Sequence, residues 1–208
     1  MSASTNSTAS PAPKQGERRN RDREVMAAAV RIFFEKGYSG ASLQDVANEV
    51  GVLKGSLYYY FASKEDLLLR IMKESHAQSE EISREIEAKG LPAVDELSAL
   101  LEALMKWYLG NVERVAIYFN ERQRLTGPRL EDVQAEGRRF EQRIYDLLTA
   151  AKEDGAFAPE LDLRLSVRLF LGALNSVPSW HRPGQKHRMS DTAIAEQFAR
   201  MTIKSIAP

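Results

Sequence analysis

The chain has 208 residues, which suits one large domain or two small ones, and 43% of them are hydrophobic, enough for a packed core. Its 29 basic and 29 acidic side chains cancel to a formal net charge of zero, so any charge meant for nucleic-acid phosphates must be local. There is no cysteine, which excludes disulfides, zinc–thiolate sites and thiol nucleophiles. No stretch approaches the ~18 consecutive apolar residues of a membrane helix, and the N-terminus lacks the apolar core of a secretory signal, so a soluble cytoplasmic protein is expected.

Residues 1–19 are Ser, Thr, Ala, Pro and charged residues without an apolar period, and they read as a disordered arm. Its end is basic, with Lys14, Arg18, Arg19, Arg21 and Arg23 against Glu17 and Asp22. That is either a solvated tail or an arm that adds phosphate contacts. From Asp22 to Lys36, Met26, Ala29, Val30 and Phe33 recur at helical spacing, and Gly37 offers a left-handed stop. Ser42 with Asp45 reads as an N-cap and short capping box. Leu43, Val46, Ala47 and Val50 repeat the helical period up to Gly51. A short helix is expected from Leu53 to Phe61, burying Leu57 and Phe61, and Ser63 caps a long one from Lys64 to about Ala88.

Helical patterns continue to the C-terminus. Pro92 sits at a helix start, and Val94, Leu97, Leu100, Leu101, Leu104 and Tyr108 make an apolar stripe up to Gly110. Helices follow over 113–125 and, after Gly127-Pro128, over 130–154, where Phe140, Ile144, Leu147, Leu148 and Ala151 share one side. Residues 161–177 are apolar nearly all round, which predicts a helix buried on several faces, and a last helix spans about 190–205. The fold class is all-α. An N-terminal three-helix helix-turn-helix domain occupies 20–65, and a helical ligand-binding and dimerisation domain occupies 66–208.

Two short helices joined by the tight Gly51-Val52 turn form the unit that lays a second helix in the major groove, which is about 12 Å wide. Val46, Ala47, Val50, Val52 and Leu57 set the angle between the helices. Gln44, Lys54, Ser56, Tyr59 and Tyr60 are left on the outer face, and Gly55 lets the backbone approach DNA. Tyr58 is either half core or a phosphate contact through its hydroxyl.

Residues 42–68, SLQDVANEVGVLKGSLYYYFASKEDLL, with the lead-in Phe34–Tyr38, resemble the N-terminal signature of the TetR family of bacterial regulators. The resemblance implies DNA contacts at Gln44, Lys54, Gly55, Ser56, Tyr58, Tyr59, Tyr60 and Lys64. Tyr60 stands where histidine is frequent in the family, and Leu53 replaces a polar residue common there. Leu53 faces either a thymine methyl or the protein itself.

The resemblance also implies a dimer and a ligand pocket. The helices at 130–154 and 161–177 independently carry more apolar surface than one small chain can hide, and two copies would bury it as a four-helix bundle. A palindromic double-stranded operator is then expected. The pocket is expected between the long helix at 64–88 and the helices after it, with Met72, Leu104, Trp107, Tyr108, Phe119, Arg122, Phe170 and Leu174 as candidate lining.

The stretches Tyr118–Leu125, Gly155–Asp162 and Trp180–Gly184 resemble the TetR-family regulators of fatty-acid and steroid-ring breakdown, which respond to acyl-CoA thioesters. Such a ligand needs an apolar slot for its chain and guanidiniums for its phosphates. Arg122, Arg124, Arg138, Arg139, Arg143 and Arg182 are candidates, unless they are solvated and paired with Glu121, Glu136 and Glu141. The alternative effector is a drug-like apolar compound, which an apolar pocket without arginine would favour. No cofactor or metal is expected: His76, His181 and His187 are too scattered for a metal site, and no catalytic motif is present.

Overall fold

The computed structural model describes residues 15–58, 60–182, 184 and 188–207, without the side chains of 15–19. Within them the secondary structure is helical: α1 (Gln15–Gly40), α2 (Leu43–Val50), α3 (Lys54–Leu57), α4 (Lys64–Glu87), α5 (Ala93–Gly110), α6 (Val112–Glu121), a 3-10 turn at Arg122–Arg124, α7 (Gly127–Glu153), α8 (Leu163–Asn175), α9 (Val177–Trp180) and α10 (Asp191–Ile206). No helix among the described residues is long and apolar enough to cross a membrane. The first helix starts at Gln15, inside the segment read as an arm, where Gln15, Glu17, Arg18 and Arg19 all have good helix propensity. The remainder of the arm, with Lys14, lies outside the described residues.

Gly37 breaks α1 as its sequence suggests. Its φ of 67° and ψ of 162° interrupt the helix and turn the chain toward α2. The recognition helix is shorter than the 53–61 pattern: regular helix ends at Leu57, whose carbonyl then accepts from the N–H groups of Tyr60 and Phe61 at 2.9 Å each. Val177 and Pro178 start a separate short helix, so the pattern read over 161–177 divides into α8 and α9.

Two apolar cores organise the chain. The N-terminal core joins Val25, Met26, Phe33, Val46, Leu57 and Phe61 to Leu67, Leu68, Ile71 and Met72 of α4. Ile117, Leu125 and Val133, from α6, the loop after it and α7, complete that same core. The C-terminal core gathers α5, α7, α8 and α10 around Leu97, Leu101, Leu104, Leu148, Phe170 and Leu174, and Ile86 near the end of α4 belongs to it. With 24 residues, α4 is about 36 Å long and runs from one core to the other.

The expectation that 161–177 is buried on several faces is corrected. In the single chain α8 buries Ser166, Val167, Phe170 and Leu174, but leaves Leu165 65% and Leu169 56% exposed. Its apolar surface is divided between the core and an outer face.

Candidate DNA interface and effector cavity

The helix-turn-helix is assembled by local bonds that its sequence dictates. The Ser42 hydroxyl accepts from the N–H of Asp45 at 3.1 Å, and the Ser42 N–H donates to the Asp45 carboxylate at 2.8 Å, closing a capping box. Hydrogen bonds from Lys36 and then Ser42 hold the Asp45 carboxyl down at about 2. Gly51 takes the left-handed conformation (φ 72°, ψ 36°), and the Val52 N–H donates back to Ala47 O at 2.9 Å.

This frame presents Gln44, Lys54, Gly55, Ser56 and Tyr58 to solvent. Tyr58 is 51% exposed, which answers the question of whether it is core, and the Lys54 ammonium lies 5.9 Å from its ring centroid. Tyr60 is half-buried beside Phe61, and Tyr59 lies outside the described residues. Leu53 is 82% exposed at the N-cap of α3, so it does not face the protein. A leucine there forgoes the side-chain cap that Ser, Thr, Asp or Asn supplies, which is worth about 1 kcal/mol.

Lys64 occupies a different kind of place. Its ammonium donates to the carbonyls of Tyr38 at 2.6 Å and Ala41 at 2.9 Å and sits 4.2 Å from the Tyr38 ring centroid. It ties the start of α4 to the turn between α1 and α2. Two further links join the helix-turn-helix to the rest of the chain. Arg129 bridges Glu65 (2.7 Å) and Asp66 from α7. The Glu121 carboxylate accepts from the Tyr38 N–H at 3.0 Å.

A cavity of about 290 Å³ lies beyond those links, near the lower end of the ~300–1,000 Å³ usual for small-molecule sites. Its walls are Ser75, His76 and Ser79 of α4, Trp107 and Tyr108 of α5, and Arg114, Val115, Tyr118 and Phe119 of α6. Arg122 follows, then Gln134, Gly137, Arg138, Phe140 and Glu141 of α7, with Leu171 and Asn175 of α8. Gly137 makes room for the Tyr118 hydroxyl, which would lie 3.3 Å from a Cβ at that position.

The lining is aromatic and cationic. His76 Nε2 lies 3.2 Å from the Tyr118 hydroxyl, and their rings meet edge to face at 5.1 Å. Burial, and then the nearby Arg139 charge, push the His76 pKa down to about 4, so the imidazole is neutral at physiological pH. Burial also raises the Tyr108 and Tyr118 hydroxyls above their ordinary value. Arg114, only 16% exposed, pairs with Glu74 at 3.3 Å, and Arg122 bonds the Tyr118 hydroxyl. Arg138 stands on the exposed rim of the cavity.

Of the pocket residues expected from sequence, Trp107, Tyr108, Phe119 and Arg122 line this cavity. Met72, Leu104, Phe170 and Leu174 do not: each is fully buried, Met72 in the N-terminal core and the others in the C-terminal one. Helical periodicity marks both pocket and core apolar residues and does not separate them: Tyr108 of the α5 stripe reaches the cavity, whereas Leu104 of the same stripe does not. Sequence reasoning missed Ser75, Ser79 and Arg114. The available signal was two serines at i and i+4 on the inner face of a helix otherwise lined by Ile71, Met72, Ile82 and Ile86.

The other arginines divide. Arg139 and Arg143 line an adjacent groove of about 300 Å³ that shares His76 and Phe140 with the cavity. There Arg143 pairs with Glu96 at 2.6 Å and Glu87 at 3.3 Å. Arg124 pairs with Glu121 at 3.4 Å, and Arg182 donates to the carbonyls of Pro178 and His181; neither reaches the cavity.

Residues 25–71 match the family described as bacterial regulatory proteins of the tetR family, and residues 90–206 match the tetracyclin repressor-like C-terminal domain. The HTH-type transcriptional repressor KstR2 of Rhodococcus jostii is 27% identical over 201 residues, which is 96% of this chain and 98% of that protein. The fatty acid metabolism regulator protein of Bacillus subtilis is 26% identical over 192 residues, 91% of this chain and 97% of its own length. The solved structure of the ketosteroid transcriptional regulator KstR2 of Mycobacterium tuberculosis superposes with a TM-score of 0.82 at 26% identity, covering 91% of this chain and 95% of that one. With both halves matched in order and the helix-turn-helix built as its sequence requires, the chain belongs to the TetR family of bacterial DNA-binding transcriptional regulators.

Proposed function

We propose that the chain is a homodimeric repressor, released from a palindromic operator when a lipid-derived CoA thioester enters the cavity between α4 and α8. The observation that carries the effector class is the joint presence of Trp107, Tyr108, Tyr118 and Phe119 with Arg114, Arg122 and Arg138 around one space. Aromatic walls suit an acyl or ring system, and guanidiniums suit phosphate or carboxylate. The roles of the relatives, ketosteroid regulation and fatty acid metabolism, point toward the same lipid chemistry. A drug-like apolar compound is the second reading, and the three arginines weigh against it.

The exposed Leu165 and Leu169 of α8 support the dimer, because pairing two copies there removes apolar surface from water. Two recognition helices would then meet major-groove faces one turn apart, ~34–36 Å. Release requires the effector to favour a conformation in which that spacing is lost; a ligand with equal affinity for both states shifts nothing. Because α4 carries cavity residues Ser75 and His76 and also core residues Leu67 and Leu68 of the DNA-binding domain, a shift of α4 reaches both.

The test is a mobility shift with DNA upstream of the chain's own gene, titrated with acyl-CoAs, free CoA and the free acids. Release by one thioester, and not by its free acid or by CoA alone, supports the proposal. Specific binding that no thioester moves removes the effector class and leaves the regulator.

A further inference from the structure

We infer that Leu53 is a specificity-determining residue that reads the 5-methyl group of a thymine in the operator. Two observations converge on it. It is the most exposed large apolar side chain among the described residues, 82% accessible, so it contributes little to the core. It also occupies the N-cap of α3, extended at φ −70° and ψ 140°, where it makes no side-chain cap. A serine at that place would bond a free backbone N–H and sit comfortably in water. Leucine does neither, so the residue opposes both local helix chemistry and surface solvation. Such local inconsistencies are expected where a residue serves a partner.

Its position fixes what the partner group is. The first turn of a recognition helix is the part that meets base edges, and Lys54 follows Leu53 directly. In the major groove the thymine methyl is the apolar group that distinguishes one base from the others. A branched aliphatic chain with no donor or acceptor can gain there only by covering that methyl. Lys54 and the Tyr58 hydroxyl, exposed beside it, supply polar contacts, and Leu53 supplies the apolar one. The inference rests on the operator-binding half of the proposed function and is independent of the effector.

The experiment compares the full-length protein with Leu53→Ser by selecting binding sites from random-sequence DNA, then measuring affinity for the selected operator with each thymine replaced in turn by deoxyuridine. The wild type is expected to select a fixed thymine in each half-site. Loss of that methyl should weaken binding about fourfold per half-site, the worth of one buried methyl. Leu53→Ser should relax selection at that position and ignore the deoxyuridine exchange there, while its thermal midpoint stays level or rises through the new cap. That opposite movement of stability and affinity is something a purely structural leucine would not produce. Identical motifs from both proteins, or equal sensitivity to deoxyuridine, would overturn the inference alone. Failure of the wild type to select any sequence would overturn the operator reading as well.

Discussion

The carboxylate of Glu121, at the end of α6, accepts the backbone N–H of Tyr38 at 3.0 Å, immediately after the left-handed Gly37. One wall of the candidate effector cavity thereby holds the turn that leads into the helix-turn-helix, since Tyr118 and Phe119 lie on the same last turn of α6. Glu121→Ala leaves a partly buried N–H without its acceptor and should cost about 1–3 kcal/mol in urea unfolding. Glu121→Gln keeps an acceptor and should cost less. Both variants should need more effector to release operator DNA; equal release curves for wild type and Glu121→Ala would show that the bond carries stability only.

Lys64 separates two roles by measurement. Its ammonium is committed to the carbonyls of Tyr38 and Ala41. Lys64→Met, which keeps the aliphatic stem, should therefore lower stability by about 1–3 kcal/mol. The slope of log affinity against log salt should stay unchanged. A slope reduced by about one phosphate contact, with stability intact, would return this lysine to the DNA interface.

Arg138 is poised at the cavity rim and outside both cores. Arg138→Ala is expected to leave operator affinity in the absence of effector unchanged. It should raise the CoA-thioester concentration needed for half-release roughly tenfold, the scale of one charged hydrogen bond. A titration that does not move would place the thioester phosphates elsewhere, with the groove at Arg139 as the next place to test.

His76 gives the fold a pH dependence of known sign. Its pKa is about 4 in the folded chain against an ordinary 6.5, so the unfolded chain takes up the proton first. Its neutral-state stability is complete above pH 6.5 and is lost as pH falls from there toward 4. Urea midpoints at pH 7 and pH 5 should differ more for the wild type than for His76→Gln. Equal differences would mean that His76 is not protected from protonation.

The helix-turn-helix was readable because its signals are local. The Ser42–Asp45 capping box, the Gly51 turn and the inward Val46, Ala47 and Leu57 each follow from residues a few positions apart. The pocket was half readable for the opposite reason. Phe119 and Phe170 look alike as members of helical stripes, yet one lines the cavity and the other fills the core. The difference depends on how α5, α6, α7 and α8 are set against one another, which periodicity does not encode. Lys64 shows a third case: a charge whose family resemblance implies a phosphate, and whose bonds here go to backbone carbonyls.

Ile117, Leu125 and Val133 complete the apolar core beneath the recognition unit. Modular exchange is therefore constrained. A chimera that joins residues up to about 72 to an unrelated sensor would leave the core around Phe33, Leu67 and Leu68 without Ile117, Leu125 and Val133 unless the new partner brings equivalent side chains. A successful graft has to carry these three contacts with it, so the inheritable DNA-reading unit of this protein is larger than its contiguous N-terminal segment.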